Sequence, residues 1–192
     1  MKKAIKSITA EIEHLLSMRP FVIMAIDGAC TAGKTTLAAA LSDIYDCNVF
    51  HMDGFFLRSE QRTKERLSEV GGNIDYERFR EEVVLPLRKN EPFKYQPYNC
   101  HTKTFKGSIS VVPRKLNIIE GTYCLHPSLA VYYDYTIYLK IHLDKQRERI
   151  LLRNPELHKR FMEEWIPMEQ QYFSGSFVAC RSDMVIDTSN WK

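Results

Sequence analysis

The sequence predicts a three-layer α/β/α fold built on a mainly parallel sheet of about five strands, with a small hairpin insert. Two observations carry this. Short, wholly apolar runs of the kind a strand buried on both faces shows alternate with segments of helical periodicity, and the order strand, helix, strand repeats along the chain. A third observation bounds the answer: the 192 residues contain no repeat, linker or low-complexity tract. One domain over 1–192 is expected, with an N-terminal helix in 1–20, a substrate-side insert in 91–113 and a lid region in 144–160.

Each element follows from its residues. Ile5, Ile8, Ile12, Leu15 and Leu16 recur at helical spacing and predict an amphipathic helix that ends near Arg19-Pro20 and packs outside the sheet. Phe21 to Ile26 is the first buried strand, Asp27-Gly28 opens a loop, and the strong helix formers from Lys34 to Leu41 follow. Cys47 to Met52 reads as a strand, Tyr76 to Leu87 as a helix directing Phe79, Val83 and Leu87 inward, and Leu116 to Ile119 as the third strand. Thr136 to Leu143 supplies a further strand and Asp144 to Arg153 a helix. A helical stretch carrying Leu157, Phe161 and Trp165 comes next, and Met184-Val185-Ile186 closes the sheet edge. Between Glu91 and Pro113, Pro92, Pro97, Gly107 and Pro113 punctuate aromatic and β-branched residues, which predicts a hairpin or loop insert.

Composition narrows the partner. The 27 basic and 24 acidic side chains leave a formal charge of +3, so neither a nucleic-acid nor a membrane footprint is expected. Five cysteines without a C-x-x-C pair suggest neither a disulfide framework nor a zinc site and fit a reducing cytoplasm. Glu11, Glu13 and His14 interrupt the apolar segment a signal peptide would need. A small-molecule partner is expected; homo-oligomerisation is left open.

The chemistry begins at Gly28-Ala29-Cys30-Thr31-Ala32-Gly33-Lys34-Thr35, which fits G-x-x-x-x-G-K-T at every defined position and lies between a buried strand and a helix. That context makes the predicted sheet a P-loop NTPase fold. Gly28 and Gly33 let successive N–H groups face the phosphates of ATP, with Thr36 in the first helical turn, while Lys34 bridges β- and γ-phosphates and the Thr35 hydroxyl ligates Mg²⁺. Cys30 inside this cradle is either a small inert filler or a thiol whose pKa the anion-binding environment lowers. An N-K-x-D guanine reader and an LSGGQ-like signature are both missing, which turns the reading from GTPases and ABC ATPases to small-molecule kinases. A kinase needs a carboxylate for the acceptor's proton and arginines for the transferring charge. Asp53, at the carboxyl end of the second strand, is the candidate base, and Glu120, at the end of the third, suits the Mg²⁺ shell. Arg149 and Arg153 share a helical face and are candidates for clamping phosphate.

The ordered set IDGACTAGKTTLA, HMDGFF, Asn73-Ile74-Asp75-Tyr76, PYN-H and IIEG resembles the uridine kinase and phosphoribulokinase-like group of P-loop kinases from about Phe21 to Ile186. The resemblance implies that Asp53 takes the proton of a nucleoside 5′-hydroxyl, that Asp75 holds the ribose diol, and that Tyr98 and His101 contact a pyrimidine ring. It also implies lid arginines at Arg149 and Arg153. By the residues alone, Asp75 also suits a helix N-cap and His101 a solvent-facing loop. The same chemistry on a sugar phosphate, pantothenate or nicotinamide riboside, and a non-catalytic nucleotide-binding regulatory module, are the alternatives.

Overall fold

A computed structural model describes residues 1–191. Helix α1 (Lys2–Met18) leads into β1 (Val22–Gly28), α2 (Lys34–Ser42) and β2 (Cys47–His51). A helical segment over 76–89, α3, precedes the insert, whose strands are β3 (Phe93–Tyr95), β4 (Tyr98–Asn99), β5 (Thr104–Phe105) and β6 (Ile109–Val111). Then come β7 (Leu116–Glu120), β8 (Tyr135–Lys140), α4 (Leu143–Arg153), a helical segment over 158–175, α5, and β9 (Met184–Asp187).

The sheet has the order β2-β7-β1-β8-β9 and every pairing in it is parallel. Alternation along its strands divides the core. Val22, Met24 and Ile26 of β1 face one side with Ile118, Ile137 and Leu139, covered by Ile8 and Ile12 of α1 and Leu37 and Leu41 of α2. Ile23, Ala25 and Ile119 face the other side, covered by Phe79, Val83, Leu87 and Tyr172 from α3 and α5. Both faces are therefore dry, which is why these strands read as unbroken apolar runs.

The predicted architecture is borne out, with boundary shifts that have local causes. The strand expected to reach Leu143 ends at Lys140, because Leu143 already opens α4. The second strand stops at His51 and continues as a tight turn, Met52–Phe55. Proline inside a helix lacks the N–H and crowds the carbonyl of the preceding turn. Pro86 and Pro167 are accommodated by widened π-type turns just before them, Arg80–Val84 and Phe161–Trp165. The insert folds back on itself through two antiparallel ladders, β3 with β6 and β4 with β5. No described helix is long and apolar enough to cross a membrane.

Candidate active site

The carboxyl ends of β1, β2 and β7 meet in one crevice, as parallel sheets of this kind arrange. β1 runs into the phosphate loop. Gly28 lies so close to β8 that a Cβ there would stand 2.4 Å from the Leu139 carbonyl oxygen. Thr31 and Gly33 adopt left-handed backbone conformations, and Gly33 caps α2. Thr31 is the costly one, since a β-branched residue disfavours that region by about 1–2 kcal/mol.

Among the described residues, the amides of Thr31, Gly33, Lys34, Thr35 and Thr36 donate to no protein acceptor, whereas Ala32 donates to the Ala29 carbonyl and Cys30 to Glu169. Five open donors at a helix N-terminus form the anion cradle that the G-x-x-x-x-G-K-T spacing anticipates. Lys34, buried, folds back to donate to the carbonyls of Gly28 at 2.8 Å and Ala29 at 3.0 Å and to the Thr122 hydroxyl at 3.1 Å. The Thr35 hydroxyl donates to Glu120 Oε1 at 3.1 Å, and His51 Nδ1 lies 2.5 Å from the same oxygen. That contact raises the His51 pKa.

Hard oxygens at Thr35 and Glu120 suit Mg²⁺, and no described cluster of three His, Cys, Asp or Glu side chains could hold a metal by itself. Asp53 opens on the same crevice. Asp53 is exposed; partial desolvation raises its pKa, Glu120 adds to the rise, and Lys34, His51 and Arg153 oppose it. A hollow of about 230 Å³ lined by Tyr133, Asp134, Ser176 and Arg181 lies at the opposite end of β8, away from these groups.

Solved structures share this arrangement of sheet and loop. A possible uridine kinase from Bacillus stearothermophilus superposes with a TM-score of 0.69 at 20% identity, over 94% of this chain and 100% of that one. A candidate fructose transport system kinase from Silicibacter sp. TM1040 matches with a TM-score of 0.66 at 22% identity, over 92% and 97%. D-glycerate 3-kinase from Cryptococcus neoformans matches at 0.64 and 10% identity, over 96% of each chain. No family model matches the sequence.

The chain has the three-layer α/β/α fold of these structures.

Within that fold the remaining predicted residues are spread over the segment before α3, the hairpin insert and α4. Asp75 is buried and caps α3: its Oδ1 accepts from the Arg78 amide at 3.2 Å, and its Oδ2 from Gln61 Nε2 at 2.9 Å with Arg78 Nε at 3.5 Å. Tyr98 is buried against Phe105, with ring centroids 5.4 Å apart. His101 is exposed at the hairpin tip, where its amide donates to Asn99 Oδ1. Arg153 ends α4 within electrostatic reach of Asp53. Arg149 instead donates to the carbonyls of Thr31 at 3.1 Å, Thr188 at 2.8 Å and Trp191 at 2.7 Å, so it ties the phosphate loop to the segment after β9.

Sequence reasoning missed three buried groups at the site, Asp27, Gln146 and Glu169. Asp27 accepts from the amides of Gly28, Tyr123 and Leu125 and from the Tyr172 hydroxyl, joining β1, the turn after β7 and α5; burial raises its pKa to about 6. Gln146 and Glu169 meet beneath Cys30. Burial and the neighbouring Glu169 charge push the Cys30 thiol up to about 12, which favours the inert filler over the activated thiol. Asp27 stands directly before the loop motif, which is a usable hint. Glu169 lies 139 residues from its partner Cys30, and only tertiary structure brings them together.

Proposed function

We propose that the chain is an ATP- and Mg²⁺-dependent kinase that transfers the γ-phosphate to a hydroxyl of a small molecule, a nucleoside such as uridine or cytidine. The observation that carries this is the coexistence, at one end of the sheet, of five open amides with Lys34 and two carboxylates, Asp53 and Glu120. A nucleotide-binding regulatory module has no use for a proton acceptor facing its phosphate cradle.

Asp53 accepts the acceptor hydroxyl's proton, and its elevated basicity suits that task. Lys34 turns from the loop carbonyls to the β- and γ-phosphates, Thr35 and Glu120 serve the Mg²⁺ shell, and Arg153 offsets charge on the transferring group. Mg²⁺ supplies electrostatic stabilisation of the triphosphate when bound. Arg149 supports the loop from the lid side. The hairpin residues Tyr98 and His101 with Asp75 form the acceptor side, consistent with the sequence resemblance to uridine kinases.

A second acceptor class, a non-nucleoside polyol such as a sugar or glycerate, is favoured by one observation: Asp75 already has both oxygens engaged by Gln61 and Arg78 and offers less to a ribose diol. The two similar structures named for fructose transport and glycerate add to it. ADP release with Mg²⁺-ATP across uridine, cytidine, other nucleosides, fructose, glycerate, ribulose 5-phosphate, pantothenate and nicotinamide riboside tests both. Turnover only with nucleosides supports the first reading, turnover only with polyols the second, and silence across the panel refutes the kinase assignment. The chemistry and the cysteine usage suit a cytoplasmic enzyme.

A further inference from the structure

The left-handed Thr31 is pinned on both sides by the two helices that flank the lid. On its amino side, the Cys30 amide donates to both carboxylate oxygens of Glu169, on α5, at 3.2 and 3.1 Å. On its carboxyl side, the Thr31 carbonyl accepts from Arg149, on α4. Gln146, one turn before Arg149, closes the arrangement: its Nε2 donates to Glu169 Oε2 at 3.2 Å and lies 3.1 Å from Cys30 Sγ. Gln146 and Glu169 are 4% and 6% exposed, so water does not compete for these bonds. Residues 154–157, which break the helical path between α4 and α5, start directly after the helix that carries Gln146.

We infer that Glu169, through Gln146 and the Cys30 amide, is a positioning residue that couples the conformation of the phosphate loop to residues 154–160 of the lid region. The geometry makes this a mechanical link. A left-handed β-branched residue relaxes unless its neighbours hold it. Here the restraints on it come from α4 and α5 and not from the loop itself. When anions fill the five open amides, the loop settles into one shape, and the hydrogen bonds at Cys30 and Thr31 transmit that shape to the two helices. Glu169 leaves those five amides open, so it does not compete with phosphate for them. Burying its carboxylate is the cost of the link, which attraction to Lys34 and the hydrogen bonds from the Cys30 amide and Gln146 offset.

The inference rests on the reading of the loop as a nucleotide site, and the test separates the two. Lys159 and Arg160 lie in the lid, with the Lys159 side chain 84% exposed, so trypsin cleavage after them, followed by mass spectrometry, reports lid position. The full chain is digested with and without Mg²⁺ and the non-hydrolysable analogue AMP-PNP, and analogue affinity is measured by calorimetry. In the wild type, saturating analogue should slow cleavage there about tenfold. Glu169→Ala and Gln146→Ala should each bind the analogue within about threefold of wild type yet show less than about twofold protection, while Glu169→Gln, which keeps an acceptor for the Cys30 amide, should recover most of it. Wild-type protection in the alanine variants, or affinity that falls in step with protection, overturns the coupling role. Failure of the wild type to bind the analogue overturns the nucleotide reading and this inference with it. If Glu169→Ala does not fold, Gln146→Ala decides in the same way.

Discussion

Gly28→Ala tests the geometry at the start of the phosphate loop. Gly28 pairs with Leu139 of β8, and an added Cβ would stand 2.4 Å from the Leu139 carbonyl oxygen and 3.0 Å from its Cβ, with φ at +155°. Both obstacles belong to a central strand, so neither can swing aside as a flexible side-chain tip would. Ordinary contact begins near 3.4 Å, and β1 and β8 would have to separate locally by about 1 Å. Overpacking of this kind costs about 3 kcal/mol, and the unfavourable φ adds about 1 kcal/mol. For a chain of this size, about 4 kcal/mol lowers Tm by roughly 8–16 °C. Thermal unfolding followed by circular dichroism measures this, with Gly107→Ala as the control, since no atom lies within 4 Å of a Cβ there. Because the displaced backbone opens the anion cradle, ATP affinity should fall as well. A Gly28→Ala protein that melts within about 2 °C of wild type would refute the close packing of β1 on β8.

Three further outcomes follow from the site. Asp53→Asn should lower kcat by about 10²-fold or more with ATP affinity nearly unchanged, since the base acts only on the acceptor proton; wild-type turnover would remove Asp53 from the mechanism. Glu120→Gln should raise the Mg²⁺ concentration for half-maximal activity by about tenfold, and an unchanged Mg²⁺ curve would argue that Glu120 serves only His51 and Thr35. His126 is buried against Tyr76, and burial, aided by the Arg66 charge, lowers its pKa from 6.5 to about 4. The unfolded chain therefore takes up this proton first, so the contribution of neutral His126 is present above about pH 6.5 and is lost as pH falls toward 4, about 3 kcal/mol in full. The stability gap between wild type and His126→Gln in urea should shrink over that interval, and parallel pH profiles would exclude a buried neutral imidazole.

The sequence by itself determined the layers and the phosphate loop. Strands buried on both faces are mostly apolar, and a loop that exposes successive amides to phosphate must carry glycine at Gly28 and Gly33; both requirements are local and leave a readable pattern. Asp53 and Glu120 were legible for a related reason, because a parallel sheet sends the ends of β2 and β7 into the same crevice. The N-cap role of Asp75 was readable from its place before α3, but its bond to Gln61 and the partners of Arg149 were not. Which partners a carboxylate or guanidinium meets depends on chain segments such as Gln61 and Trp191 that spacing does not connect to it. The same holds for the junction of Cys30, Gln146 and Glu169. A single polar residue on a helix carries no periodicity, and its meaning appears only when packing puts it beneath the loop. Local chemistry is written along the chain, whereas the restraints that hold a strained loop come from whatever the fold packs against it.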